Sequence, residues 1–260
     1  MILSAGRYAT VCVGGFAAVV LLWWGGILVL GLDRFTARTP ADVWRYLATS
    51  AGAGAHERAL LAALSTTVGN AALGYLAGTL AACLLAGGLV MSRMVEHAVT
   101  PVALVLRAVP LAAMTPVITL AVGQGLLSVT VIASVVVFFP TLVNVSLGLR
   151  SASRPSLDLL AAYGASSWQT FWKVRVPGAL EAFLASTRIA VPSAIIGVLI
   201  AEWLVTGNGI GAFMINAQNT LDYDALWSAA LFITLVAALL YGVLSVFEGA
   251  VLARRSVRVR

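Results

Sequence analysis

Arg107, Arg188, Glu202 and Glu248 are the charged side chains that fall within long apolar runs of this sequence. A charge at membrane depth is costly, so each must face a protein interior or water. Two readings stand for Arg107 and Arg188. They line an inner exit for an anion, or each bonds backbone carbonyls at a helix break or snorkels to the interface. Glu202 sits just before Gly207-Asn-Gly-Ile-Gly211; it either holds that turn or forms part of an outer gate. Glu248 is close enough to the end of its run to reach the interface and receives no special role. Other chemistry is excluded by residue type and spacing. His56 and His97 lie in expected loops without Cys or carboxylate partners at ligand spacing, so no metal site is expected. The glycines at 207–211 follow an apolar run and not a strand, which rules out a dinucleotide fingerprint. Gly164-Ala-Ser-Ser-Trp168 lacks the final glycine of a nucleophile elbow. There is no Walker sequence and no pair of catalytic groups at a common depth, so no catalytic residue is expected and the chain binds no cofactor of its own.

The elements that position these charges follow from composition. Of 260 residues, 61% are hydrophobic and 10% are charged, where a soluble domain carries about a quarter charged residues. Apolar runs reach the ~20 residues needed to cross a bilayer. The reading is an all-α integral membrane protein, a single transmembrane domain over 1–260. The net charge is +6, and all but one of the 16 basic residues, Lys173, are Arg. No basic stripe interleaves with aromatics as a nucleic-acid groove requires, so the charge serves orientation. Cys12 and Cys83 fall in apolar runs and are expected as small buried side chains, not a disulfide.

Six spans are expected, near 10–32, 59–91, 99–122, 126–149, 184–206 and 226–252. With the N-terminus inside, inner segments hold Arg7, Arg93, Arg150, Arg154, Lys173, Arg175, Arg254, Arg255, Arg258 and Arg260, and outer segments hold Arg34, Arg38, Arg45 and Arg58. That is ten against four, which places both termini in the cytoplasm. Thr39-Pro40-Ala41-Asp42 reads as the start of a short interfacial helix. Pro101, Pro110 and Pro116 interrupt the third span, and broken helices survive at depth where neighbours or a cavity satisfy the freed groups. Gly74 and Gly78 form a small-xxx-small pair for close helix packing.

The loop between the fourth and fifth spans, 150–183, is too long and too patterned for a turn. A helix is expected from Asp158 to Tyr163, broken by Gly164. A second, from Trp168 to Val174, is capped by Ser166-Ser167, ended by Pro177, and presents Trp168, Phe171 and Trp172. Exposed aromatics of this kind imply a partner surface.

The spacing Asp158-Leu159-Leu160, Gly164, Val174, Val176-Pro177 resembles the EAA loop of permease subunits of ATP-binding-cassette importers. The family's Glu is Asp158 here, its alanines are Leu159 and Leu160, and its Ile and Leu are Val174 and Val176. Further likeness to the nitrate/sulfonate/taurine branch lies in Arg107-Ala-Val-Pro110 through Pro116, Gly123-Gln-Gly125, Phe139-Pro140, Thr187-Arg188, Ala201-Glu202 and Gly209-Ile-Gly211. It covers about 66–250, with Asn70 standing where that branch often has Arg.

The resemblance implies a type I importer permease fold with a cytoplasmic coupling helix between helices 4 and 5. It implies two ATPase subunits that carry ATP and Mg, a second permease copy (identical or a close paralogue), an extracytoplasmic substrate-binding protein and a bacterial inner membrane. The coupling residues would be Asp158, Leu159, Leu160, Gly164, Ala165, Trp168, Phe171, Val174, Val176 and Pro177. Arg107, Pro110, Pro116, Arg188 and Glu202 would be the pathway or gate candidates. The branch suggests a small organic anion such as a sulfonate or taurine, or nitrate; relatives of similar look take up pyrimidine- or flavin-type vitamin precursors. A secondary transporter or membrane-embedded enzyme is disfavoured, since neither an inverted repeat nor paired catalytic groups are evident.

Overall fold

The structure is a computed structural model, which describes residues 5–33 and 35–258. The side chains of Arg7, Cys12, Arg107, Arg254, Arg255 and Arg258 lie outside what it describes, as do Arg34 and Arg260. Every regular element among the described residues is helical. Four helical stretches are long and apolar enough to cross a membrane: Ala53–Met91, Leu126–Arg150, Leu180–Thr206 and Tyr223–Ala253. Two shorter apolar helices accompany them, Ala18–Val29 and Leu111–Val122.

The chain divides into two compact units, one of residues 1–62 and 213–232, the other of 63–212 and 233–260. The first holds α1 (Ala5–Val29) and α2 (Pro40–Trp44), which runs on into a π turn, Arg45–Thr49. The expected interfacial helix is α2. Thr39 accepts from the Asp42 amide, and Asp42 accepts in return from the Thr39 amide and hydroxyl. These bonds hold the Asp42 carboxyl below its usual range. In the same unit Trp23 stacks on Trp227 at 5.3 Å, and the Trp227 indole donates to the Thr36 carbonyl at 2.9 Å. Arg38 pairs with Asp224 at 2.6 Å. His56 stacks on Tyr46 at 4.1 Å. It lies inside a helix and not in a loop, because α3 (Ala53–Met91) begins earlier than its apolar run. At 1.5 Å per residue α3 is about 58 Å long, well beyond a hydrocarbon core of about 30 Å.

The second unit is built around α6 (Leu126–Arg150). Gly74 and Gly78 of α3 press on its Ala133, Ser134 and Val137, and the Ser134 hydroxyl donates to the Gly74 carbonyl at 3.1 Å. On its other side lies α10 (Leu180–Ala201), which continues into a π turn, Glu202–Thr206. There Gly197 meets Ala133 and Val136, and Gly148 of α6 meets Ala179 and Ala182. A methyl group at either glycine would come within 2.9 Å or less of these neighbours. Ala133 is thus pinched between two helices, which is why glycine occupies both facing positions.

The expected third span is two helices, α4 (Arg93–Ala108) and α5 (Leu111–Val122). Pro110 is the extended residue that opens α5, while Pro101 and Pro116 remain inside their helices. His97 falls in α4, not in a loop, since α4 starts directly after Ser92. Further along, α7 (Arg154–Ala162), α8 (Ser167–Thr170) with a π turn Phe171–Arg175, and α9 (Val176–Gly178) fill the connection to α10. The chain ends with α11 (Ile210–Asn219) and α12 (Tyr223–Arg258). The first of these falls in the stretch expected as a loop between the fifth and sixth spans, and sequence reading misses it.

Candidate functional site

Residues 151–178 form a projection with one buried root. Its first helix starts a turn before Asp158, because Ser153 caps it and Pro155 sits in its first turn, where a missing N–H costs nothing. Gly164 then adopts φ +69°, a conformation that strains any residue with a Cβ. Ser166 opens α8 through a reciprocal bond with Gln169. Pro177 does not end the second helix. The π turn shifts the register, so Pro177 falls in the first turn of α9 and the chain stays helical to Gly178.

The aromatics divide. Phe171 is not presented to solvent: it is 8% exposed and shares a cluster with Ala82, Ala86, Leu89, Leu142, Val145 and Leu149. Trp168, Phe171 and Trp172 fall on one helix face, and the part of that face nearest the bundle is Phe171. Trp168 and Trp172 pack on it at 6.2 and 5.4 Å yet remain half exposed. Leu159 is 59% and Tyr163 82% exposed, one turn apart on α7. Asp158 and Pro177 are also exposed, whereas Leu160, Ala165, Val174 and Val176 are half-buried. Tyr163 was missed as a surface residue; its spacing of four from Leu159 is the available signal. At the root, Arg175 donates to the Leu149 carbonyl at 3.2 Å, and Arg150 pairs with Glu96 at 2.9 Å. The bond from Arg150 holds the Glu96 carboxyl below its ordinary range.

Glu202 is fully enclosed, at 1% exposure. Its carboxylate accepts from the Thr67 hydroxyl at 2.8 Å, the Asn70 amide at 3.4 Å and the Gly211 N–H at 3.0 Å. Thr67 in turn accepts from the Ile210 N–H at 2.8 Å. Gly209, at φ +90°, lies against the carboxylate so closely that no Cβ fits. Of the two readings of Glu202, the one in which it holds the 207–211 turn describes this geometry. Asn70, which departs from the branch pattern, is one of its donors.

Arg188 pairs with Glu248 at 3.3 Å and lies 5.8 Å from the Tyr241 ring centre. Glu248 therefore has a partner that sequence reading did not assign it. Of Arg107 only the backbone position on α4 is described. Among the described side chains, Arg188 and Glu202 have separate sets of partners. Pro116 instead lines an open cleft of about 480 Å³ with Thr115, Thr119, Gln124, Leu204 and Val205.

Residues 74–257 match the model of the binding-protein-dependent transport system inner membrane component family. The chain belongs to this family. It is similar to a probable ABC transporter permease protein of Haemophilus influenzae, at 30% identity over 86% of this chain and 89% of that one. It is 31% identical to the formylaminopyrimidine transport permease protein ThiX of Halalkalibacterium halodurans, over 62% of this chain and 64% of the other. The taurine transport system permease protein TauC of Escherichia coli is 24% identical over 90% and 86%. The fold is similar to that of the MetNI methionine ABC transporter in an inward-facing form, with TM-score 0.60 over 75% of this chain and 95% of that one, at 18% identity. The inner membrane component is thus a multi-pass helical permease of the importer type that the loop at 158–177 resembles.

Proposed function

We propose that this chain forms the solute pathway of an ATP-driven importer and that the projection at 154–178 docks it to an ATPase subunit. The observation that carries the reading is the division of the projection's surface. Phe171 roots it in the bundle, while Leu159, Tyr163, Trp168 and Trp172 stay exposed beside Lys173. Apolar side chains displayed on a stiff, capped helical pair fit a groove on a partner. Closure of the ATPase pair then rocks α6 and α10 as packed bodies.

In this reading six spans cross the inner membrane, with both termini and the projection on the cytoplasmic side. Two permease copies form the pathway, two ATPase subunits hold ATP and Mg, and a binding protein delivers cargo from outside. The chain itself contributes no catalytic group. The cargo is a small solute, and the relatives named above divide between an organic sulfonate and a pyrimidine.

Co-purification from mild detergent should bring an ATPase subunit with this chain. Leu159→Glu and Gly164→Pro should leave the chain inserted but cut binding-protein-stimulated ATPase activity at least about tenfold, the effect of a lost central contact. Full stimulation in both variants would sink the docking assignment. Uptake by the purified chain alone down an ion gradient would sink the importer reading.

A further inference from the structure

Among the described residues, Leu221 is the only one other than glycine at positive φ, +60°. The other such positions are glycines, Gly164 and Gly207 among them. The reason is steric: a Cβ in the left-handed region crowds the following carbonyl. Leu221 closes α11 in a Schellman turn. Its N–H donates to the Gln218 carbonyl at 3.1 Å, and the Asp222 N–H donates to the Ala217 carbonyl at 2.8 Å. Such a turn ordinarily gives the place of Leu221 to glycine. Asp222 then opens α12 at once. Its carboxylate accepts from the Ala225 N–H at 3.0 Å and its carbonyl from the Leu226 N–H at 3.1 Å. The corner is therefore stiff, with no slack residue between the two helices, and it holds a leucine in a strained conformation.

Little of that side chain is used inside the fold to offset the strain. Leu221 is 58% exposed. The apolar contact that usually accompanies this turn comes from the next residue, and here that residue is Asp222. Lipid does not account for the exposure. The corner's other residues Asn216, Gln218, Asn219, Thr220 and Asp222 are exposed and polar, the composition of a surface that faces water. Residues 189–253 contain no Lys or Arg, which puts the corner on the outer side in the orientation proposed above. Strain that the fold does not use marks a functional contact. An apolar side chain already fixed in place loses little entropy on binding, and a carboxylate beside it adds charge complementarity for a basic partner.

We propose that Leu221 and Asp222 form a point at which the extracytoplasmic binding protein engages this chain. Leu221 enters an apolar socket on that protein, and Asp222 faces a Lys or Arg at the socket's rim. Transport by this family is binding-protein-dependent, and the binding protein meets the permease on the side where the corner stands. The inference rests on the importer reading above and adds the place and the chemistry of one contact.

The experiment uses the assembled transporter, this chain with its ATPase subunits, in nanodiscs, titrated with its purified binding protein. Glycine is unstrained at this φ and asparagine tolerates it, so Leu221→Gly and Leu221→Asn keep the turn and remove the side chain that docks. Each should raise the binding-protein concentration for half-maximal ATPase stimulation about tenfold, the loss of one central contact, with basal ATPase activity and melting temperature kept. Asp222→Asn retains the cap and removes the charge, and it should give a smaller rise that high salt erases. A benzophenone side chain in place of Leu221 should cross-link to the binding protein. Half-maximal stimulation at the wild-type concentration in both Leu221 variants would overturn the inference, as would cross-linking to a second permease copy or to lipid alone. A lower melting temperature in the glycine variant would make Leu221 a structural residue and overturn it as well. All of these results leave the importer reading standing. Failure of the chain to hold an ATPase subunit would overturn that reading, and this contact with it.

Discussion

Glu202 carries a carboxylate into an apolar helix because three donors converge on it from two other segments, α3 and the start of α11. Thr67 is the hinge of this arrangement, since one hydroxyl serves both the carboxylate and the Ile210 N–H. Removing the acceptor leaves the buried Gly211 N–H unpaired, while the Thr67 hydroxyl keeps only the Ala63 carbonyl at 3.2 Å. We expect Glu202→Ala to destabilise the detergent-solubilised chain by on the order of 3–5 kcal/mol, with Glu202→Gln costing less because one acceptor oxygen survives. A melting temperature unchanged in the alanine variant would show that the turn at 207–211 is held by something else. This constellation was half legible. A charge next to a glycine-rich turn is visible in sequence, but its donors at 67 and 70 are far away in the chain. The Arg188–Glu248 pair was illegible for the same reason: sixty residues, with all of α11 among them, separate partners that only packing brings together.

At the scale of elements, apolar runs and punctuation were read well. The broken third span, the capped α2 and the two-helix projection all rest on local signals, namely proline position, Ser or Thr caps and Gly164. The π turns left no such mark. Each inserts a residue into the helical register and turns the following face by about 100°, so the persistence of helix through Pro177 does not follow from spacing. Phe171 is the anchor of the projection, and Phe171→Ala should empty a site worth about 3–5 kcal/mol. The loss should appear locally, as faster amide exchange and protease cleavage across 154–178 while the rest of the bundle is unaffected. Uniform protection in the variant would place the anchor elsewhere.

For the molecule as a whole, α12 is the outlier. Its apolar window is 6% buried, against 33–39% for the other three long stretches. Leu239, Val243, Val246 and Phe247 are 56–71% exposed, a face that water would not tolerate and lipid would. A photoreactive probe dissolved in the bilayer should label these four positions in the isolated chain and spare Val137 and Ile195, which are enclosed. Equal labelling of both sets would mean that the bundle opens in lipid. Hydropathy made the existence of this helix plain. Its one-sided burial was out of reach, since a helix apolar all round carries no periodicity to say which face meets protein.

The close contact of Gly148 with Ala179 and Ala182 has a further consequence. It fixes both roots of the projection at a single point, where Arg175 also ties back to Leu149. Mechanically the projection is clamped at two places, at this glycine and at Phe171 against Ala82, Ala86 and Leu89 of α3. In the docking reading proposed above, a load on its exposed tip would reach α6 through both clamps and α10 through the first.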